Sequence, residues 1–201
     1  GVDRQAQRVV PRGAVAALLA STTVAKPKPA SMGISEGSIL LEKYRIEAVI
    51  GQGGMGVVAR ALRLGTSEHV AIKFLRDDLV ADDATMKRFL REAQLAASLK
   101  CAHVPRVTDV GIVEGDGPPF MVMEFLEGKD LGQVLGERES LHPAFAVDLA
   151  LQACVALAEA HSWGIVHRDI KPTNLFLIEV ADGGTVLKVL DFGISKVVAG
   201  G

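Results

Sequence analysis

Six residues, Gly51-Gln52-Gly53-Gly54-Met55-Gly56, constrain this chain more than any other stretch. Four of them are glycine, so the backbone can take conformations and close approaches that a Cβ would block, and successive N–H groups can close over an anion. Three arrangements use such a run: a βαβ turn that holds a dinucleotide, a strand–turn–strand lid over phosphates, or a plain glycine hairpin. The flanks decide against the first. A dinucleotide turn needs a helix to begin at its third glycine, whereas Val57-Val58-Ala59-Arg60-Ala61-Leu62 is β-branched and apolar and leads through a turn into Val70-Ala71-Ile72-Lys73.

The same patterning organises the rest of the chain. Apolar runs at 44–50, 57–62 and 70–75, separated by glycine-rich or polar turns, predict an antiparallel meander. Residues 82–99 change to helical period, and two more strands follow at 107–113 and 120–125, around the turn Glu114-Gly115-Asp116-Gly117-Pro118-Pro119. Beyond Gly128 helix dominates: a short one at 131–137, then a long apolar one from Pro143 to Trp163, with two brief β runs at 175–178 and 186–190 around Asp182-Gly183-Gly184. The expectation is an α+β fold of two lobes: residues 1–38 a flexible leader, 39–126 a lobe of five antiparallel strands and one helix, 127–201 the first part of a helical lobe.

Lys73 alternates with Ala71 in an apolar strand, a setting in which an ammonium needs a charge partner. The helix over 82–99 offers one. Phe89, Glu92, Ala96 and Leu99 share a face, so Glu92 interrupts an apolar stripe and is expected to form an ion pair with Lys73.

Further along stand His167-Arg168-Asp169-Ile170-Lys171-Pro172-Thr173-Asn174 and then Asp191-Phe192-Gly193. Singly, each has a bland reading: an acid before Phe-Gly serves a turn, and His167 reads as a packed structural histidine. In this order, behind the glycine run, Lys73 and Glu92, they resemble the protein-kinase family over residues 44–196. The wording of Gly53-Gly54-Met55-Gly56-Val57-Val58, of Tyr44-Arg45-Ile46 and of Lys188-Val189-Leu190 before Asp191 is similar to the eukaryotic-like kinases of bacteria.

The resemblance implies transfer of the γ-phosphoryl group of ATP to Ser or Thr of a protein substrate, with Mg²⁺. It implies Asp169 as catalytic base, Lys171 and Thr173 beside it in the form that serine/threonine-specific members carry, and Asn174 and Asp191 as magnesium ligands. Lys73 and Glu92 would position the α- and β-phosphates under the lid of Ile50, Gly51, Gln52, Gly53, Gly54, Met55 and Gly56. Val58, Ala71 and Phe176 would sandwich adenine, Met123 would be the gatekeeper, Glu124 and Leu126 would offer backbone groups, and Asp130 would face the ribose. The family's segment after Asp-Phe-Gly, whose phosphate would reach Arg168, and its remaining helices are not found in the 201 residues, so a fragment of a longer product is expected, with apolar helix surface uncovered. A nucleotide-binding pseudokinase, a scaffold or an inactive truncated product is the alternative.

Composition bears on what remains. A net charge of −2 and dispersed basic residues give no footprint for nucleic acid. Cys101 and Cys154 belong to no metal-spaced pair and are expected as buried reduced thiols. Reduced thiols favour a cytoplasmic location; no apolar run approaches the length needed to span a bilayer, and the short Ala-rich stretch after Arg12 is a weak imitation of a signal peptide.

Overall fold

Strand 68–75 shows why the sheet forms. Val70, Ile72 and Phe74 point into one apolar cluster with Tyr44, Ile46, Phe120 and Val122, while Ala71 and Leu75 point into another with Val58, Phe89, Ala93 and Met121. A strand covered on both faces reads as a continuous apolar run, and Lys73 falls on the second face.

The computed structural model describes residues 35–54, 56–113, 117–138 and 140–192. Six strands, β1 (Ile39–Leu40), β2 (Tyr44–Gln52), β3 (Gly56–Arg63), β4 (Glu68–Leu75), β5 (Val107–Ile112) and β6 (Pro119–Glu124), form an antiparallel sheet in the order β1-β2-β3-β4-β6-β5. Five of them are the expected strands. The two-residue β1 is added, and ahead of it the Gly37 N–H donates to the Ile46 carbonyl at 2.8 Å while the Ile46 N–H donates to Ser38 at 2.9 Å. The ordered sheet thus recruits residues that the sequence reading gave to the leader, whose residues 1–34 lie outside the described residues.

A one-turn helix α1 (Asp77–Val80), also unexpected, precedes α2 (Asp83–Ser98). Asp82 caps α2, accepting from the Ala84 N–H at 3.2 Å and from the Thr85 hydroxyl. Phe89, Glu92, Ala93 and Ala96 are its buried face. Phe89 and Ala93 lie against the sheet, whereas Ala96, with Leu99 and Val104 after it, joins a core that belongs mostly to the second lobe.

That lobe contains β7 (Lys129–Asp130), α3 (Leu131–Glu137), α4 (Pro143–Ser162), a 3-10 turn (Pro172–Asn174), β8 (Leu175–Glu179) and β9 (Thr185–Val189), with β7-β8-β9 as a small antiparallel sheet. Asp130 closes a reciprocal cap with Gln133 at the start of α3, and Pro143 occupies the first turn of α4. Leu149, Ala153, Ala156 and Ala160 of α4 pack with Leu187, Val189 and Phe192. On the opposite side Val147, Leu151 and Val155 are 58%, 62% and 53% exposed, the uncovered apolar surface that the sequence predicts.

Two expectations need correction. Cys154 is exposed and Cys101 half-exposed, so neither is a buried thiol; Cys154 lies one residue past Ala153, about 100° round the helix from the core-facing side. Moreover α4, at 20 residues, is long and apolar enough by length and composition to cross a membrane. Asp148, Gln152 and Glu159 break its run in sequence, but its many Ala, Leu and Val residues keep the helix apolar on average.

Candidate active site

The glycine turn closes directly over Lys73. A Cβ on Gly56 would stand 2.5 Å from the Phe74 carbonyl oxygen and 3.3 Å from Lys73 Cε, so only glycine lets β3 pass this close. The Gly53 N–H donates to the Gly56 carbonyl at 2.9 Å and tightens the turn, whose Met55 lies outside the described residues. Lys73 is in the middle of the sheet, in register with Val58 on one side and Met121 on the other, and is 1% exposed.

Its ion-pair partner differs from the one expected. Lys73 Nζ lies 3.7 Å from Asp191 Oδ1, and no Lys73–Glu92 ion pair forms. Glu92 is fully buried with Oε1 lacking any hydrogen-bond partner. One ammonium faces two carboxylates, and Asp191, projected by a left-handed backbone (φ 56°) just after β9, takes it. Burial drives all three toward their neutral forms: it lowers the Lys73 pKa and raises Asp191 and Glu92 each to about 7, against the pull of Lys73 on both acids.

The loop between α4 and β8 is organised by His167. Its Nε2 is 2.8 Å from the Leu190 carbonyl and its Nδ1 is 3.2 Å from the Asp169 N–H, so Nδ1 accepts and Nε2–H donates. That pattern is the neutral tautomer, in keeping with burial that lowers its pKa. The ring also packs on Phe192 with centroids 4.8 Å apart, so His167 ties the loop to the segment bearing Asp191, the structural role read from the sequence. Arg168 beside it also has a left-handed backbone, φ 59°. Asp169 Oδ2 accepts from Lys171 Nζ at 2.9 Å, and the Asn174 amide nitrogen donates to the Asp169 carbonyl at 2.8 Å and to Oδ2 at 3.3 Å. Asp169, Lys171 and Asn174 are thus held as one group, with Asp191 contributing to the same electrostatic field.

A cleft of about 210 Å³ adjoins this group, lined by Ile50, Gly51, Val58, Ala71, Glu124, Phe125, Leu126, Asp130, Thr173, Phe176 and Leu190. Ile50, Gly51, Val58, Ala71, Glu124, Leu126, Asp130 and Phe176, expected at a nucleotide site from the sequence, all stand on this wall. Met123 does not: fully buried, it packs beside Ala71, its cross-strand partner, in the apolar cluster with Phe89 and Ala93. Gln52, Gly53 and Gly54 form the tip of the turn and do not line the cleft. Phe125 and Leu190 were missed, although each stands between or beside named residues in apolar text. Thr173 lines the cleft with a buried hydroxyl that has no hydrogen-bond partner.

The residues present fit magnesium. Asp191 Oδ1 is buried and without a hydrogen bond, and the Asn174 amide has spent its nitrogen on Asp169, which leaves hard oxygen donors. Among the described residues no cluster of three or more His, Cys, Asp or Glu exists. One carboxylate and one amide are what a cation that keeps water and phosphate ligands requires.

A two-lobed α+β fold thus holds an apolar cleft, a buried Lys73–Asp191 pair and an Asp169–Lys171–Asn174 loop. The chain belongs to the protein kinase domain family, whose model matches residues 44–201. It is 41% identical over 161 residues to serine/threonine-protein kinase pkn3 of Myxococcus xanthus, covering 80% of this chain and 29% of that protein. It is 37% identical over 164 residues to serine/threonine-protein kinase PknB of Mycobacterium tuberculosis, covering 81% and 26%. Among solved structures, the Mycobacterium tuberculosis PknI kinase domain superposes with a TM-score of 0.65 at 31% identity, over 80% of this chain and 63% of that one. Rad53 in complex with AMP-PNP superposes with a TM-score of 0.60 at 26% identity, over 78% and 40%. The chain spans about a quarter of the length of the curated relatives it matches.

Proposed function

We propose that this chain carries the nucleotide-binding and phosphoryl-transfer machinery of a serine/threonine protein kinase, acting on Ser or Thr hydroxyls of protein substrates with Mg²⁺-ATP. One observation carries the reading: Asp169, Lys171 and Asn174 form one hydrogen-bonded group, the Leu190 N–H donates to the Asn174 carbonyl at 2.8 Å, and Asp191 next to it faces Lys73, beside a cleft lined by Thr173 and Leu190. Adenine would lie between Val58 and Ala71 above and Phe176 below, and the glycine turn would cover the phosphates.

Asp169 would accept and orient the substrate hydroxyl, and Lys171, already bonded to it, would steady the transferring group. Lys73 would hold the α- and β-phosphates, with Asp191 and Asn174 as the magnesium ligands. The metal would neutralise developing charge on the phosphate oxygens. His167 keeps Asp169 in place without exchanging protons itself, because both ring nitrogens are engaged. Arg168, Lys87, Arg88 and Arg91 line a separate cleft of about 600 Å³, suited to the phosphate that the family resemblance assigns to Arg168. ATP chemistry and two unpaired cysteines favour the cytoplasm.

A non-catalytic nucleotide-binding role is the second reading, and it is favoured by Glu92, which forms no ion pair with Lys73 while Asp191 does. Asp169→Asn in the intact protein decides between them. Transfer of labelled γ-phosphate to a Ser/Thr substrate should fall at least ~100-fold while Mg²⁺-ATP affinity stays within about twofold. Undiminished transfer in the variant would remove Asp169 from the mechanism, and absence of transfer in the unaltered protein would favour the second reading.

A further inference from the structure

Glu124 faces two ways. Its residue lines the cleft at the end of β6, where the chain crosses between lobes. Its side chain turns to the opposite side, where Oε1 accepts from the Arg106 N–H at 2.6 Å and from Lys188 Nζ at 2.5 Å. Lys188 lies on β9 and donates also to the Val104 carbonyl at 3.3 Å. It is only 9% exposed, and the pair borders a pocket of about 330 Å³ behind the cleft.

Two neighbours of Lys188 make this pair more than a packing detail. Across the small sheet Lys188 is in register with Phe176, the floor of the cleft, and three residues further along the chain stands Asp191. His103 fastens the same strand to the segment after α2: its carbonyl accepts from the Val189 N–H at 2.8 Å, and its ring Nδ1 is 2.9 Å from the Leu187 carbonyl. That stitch fixes strand spacing but reaches neither β6 nor the cleft wall. Among the described residues, the Lys188–Glu124 contact is the side-chain ion pair that joins β6 to β9.

We propose that Lys188 is a positioning residue for nucleotide: through Glu124 it sets the separation between the adenine wall and the Asp191 carboxylate. This rests on the nucleotide-site reading above. A ligand held at both ends of the site, adenine at the wall and phosphates at Asp191, feels that separation. Adenosine, held at the wall alone, does not. A pair that merely stabilised the fold would treat the two ligands alike.

Titration calorimetry on the intact protein with adenosine and with Mg²⁺-ATP tests this in four variants. Lys188→Met should weaken Mg²⁺-ATP roughly 5- to 20-fold and adenosine less than about twofold, the scale expected when one coupled contact is lost. Glu124→Gln should act in the same direction, Lys188→Arg should recover most of the loss, and Lys188→Met with Glu124→Gln should be no worse than Lys188→Met alone. Equal losses for both ligands, or additive losses in the double variant, overturn the proposal. If Lys188→Met fails to fold, the adenosine to Mg²⁺-ATP ratio of Glu124→Gln decides by the same criterion. Unaltered protein that binds neither ligand overturns the nucleotide reading and this inference together, whereas normal binding with an unchanged ratio in the variants overturns this inference alone.

Discussion

Replacing Glu92 by Gln should flatten the dependence of stability on pH. Burial raises this acid from its ordinary value of 4.5 to about 7. A carboxyl whose folded pKa lies above its unfolded one binds protons more tightly when folded, so its contribution favours folding at low pH and is lost as pH rises from 4.5 to about 7. Each pH unit between the two values is worth somewhat over 1 kcal/mol, so the whole interval is about 3 kcal/mol, most of which falls between pH 5 and pH 8. Gln keeps the shape and cannot titrate. Asp191, raised to about 7 by its own burial, adds a slope of the same sign in both proteins. Urea unfolding at pH 5 and pH 8, without divalent cation or nucleotide, should show unaltered protein losing about 2–3 kcal/mol more than the variant over that range. Parallel pH profiles would mean that Glu92 is ionised and compensated throughout, which refutes the account of one ammonium serving two buried acids.

The other expectations concern the frame. Phe89→Ala, emptying a fully buried site between α2 and the sheet, should cost about 3–5 kcal/mol in denaturant unfolding. Asp82→Ala removes the cap of α2 and should lower the denaturant midpoint of unfolding, whereas Asp82→Asn should retain most of the unaltered stability. Leu151→Gln with Val155→Gln, on the exposed stripe of α4, should leave the unfolding free energy of the 201-residue chain within about 0.5 kcal/mol but lower its self-association in sedimentation velocity.

The residues proposed to carry chemistry were legible because the sequence states them as short local words with fixed order. The lid, Lys73, Asp169, Asn174 and Asp191 need no knowledge of long-range packing to be found. Alternation likewise revealed which face of β4 holds Lys73. What was not legible depends on how distant pieces settle against each other. Lys73 chooses Asp191 over Glu92 through a backbone twist at residue 191 that no side-chain pattern encodes. Glu124 and Lys188 are 64 residues apart, and each reads as an ordinary polar residue at the end or edge of a strand. Cys154 was misread because Ala, Leu and Val lie all round α4, and such a helix does not announce which side is covered. Strand β1 is too short for any periodicity to appear.

The left-handed backbones at Arg168 and Asp191 set what selection for robustness alone would do to this protein. Each side chain occupies a conformation that glycine takes freely and other residues adopt at roughly 1 kcal/mol or more. Glycine at either position would relieve that strain, and at 191 it would also remove a buried acid. A library screened only for heat resistance should therefore drift toward glycine at 168 and 191, discarding the arginine of the basic cleft and the acid that faces Lys73. Leu41, Glu42 and Ser67 share that backbone, but at 168 and 191 a charged side chain at one of the two clefts would be lost with the strain, so these are two places where the fold is held away from its own stability optimum.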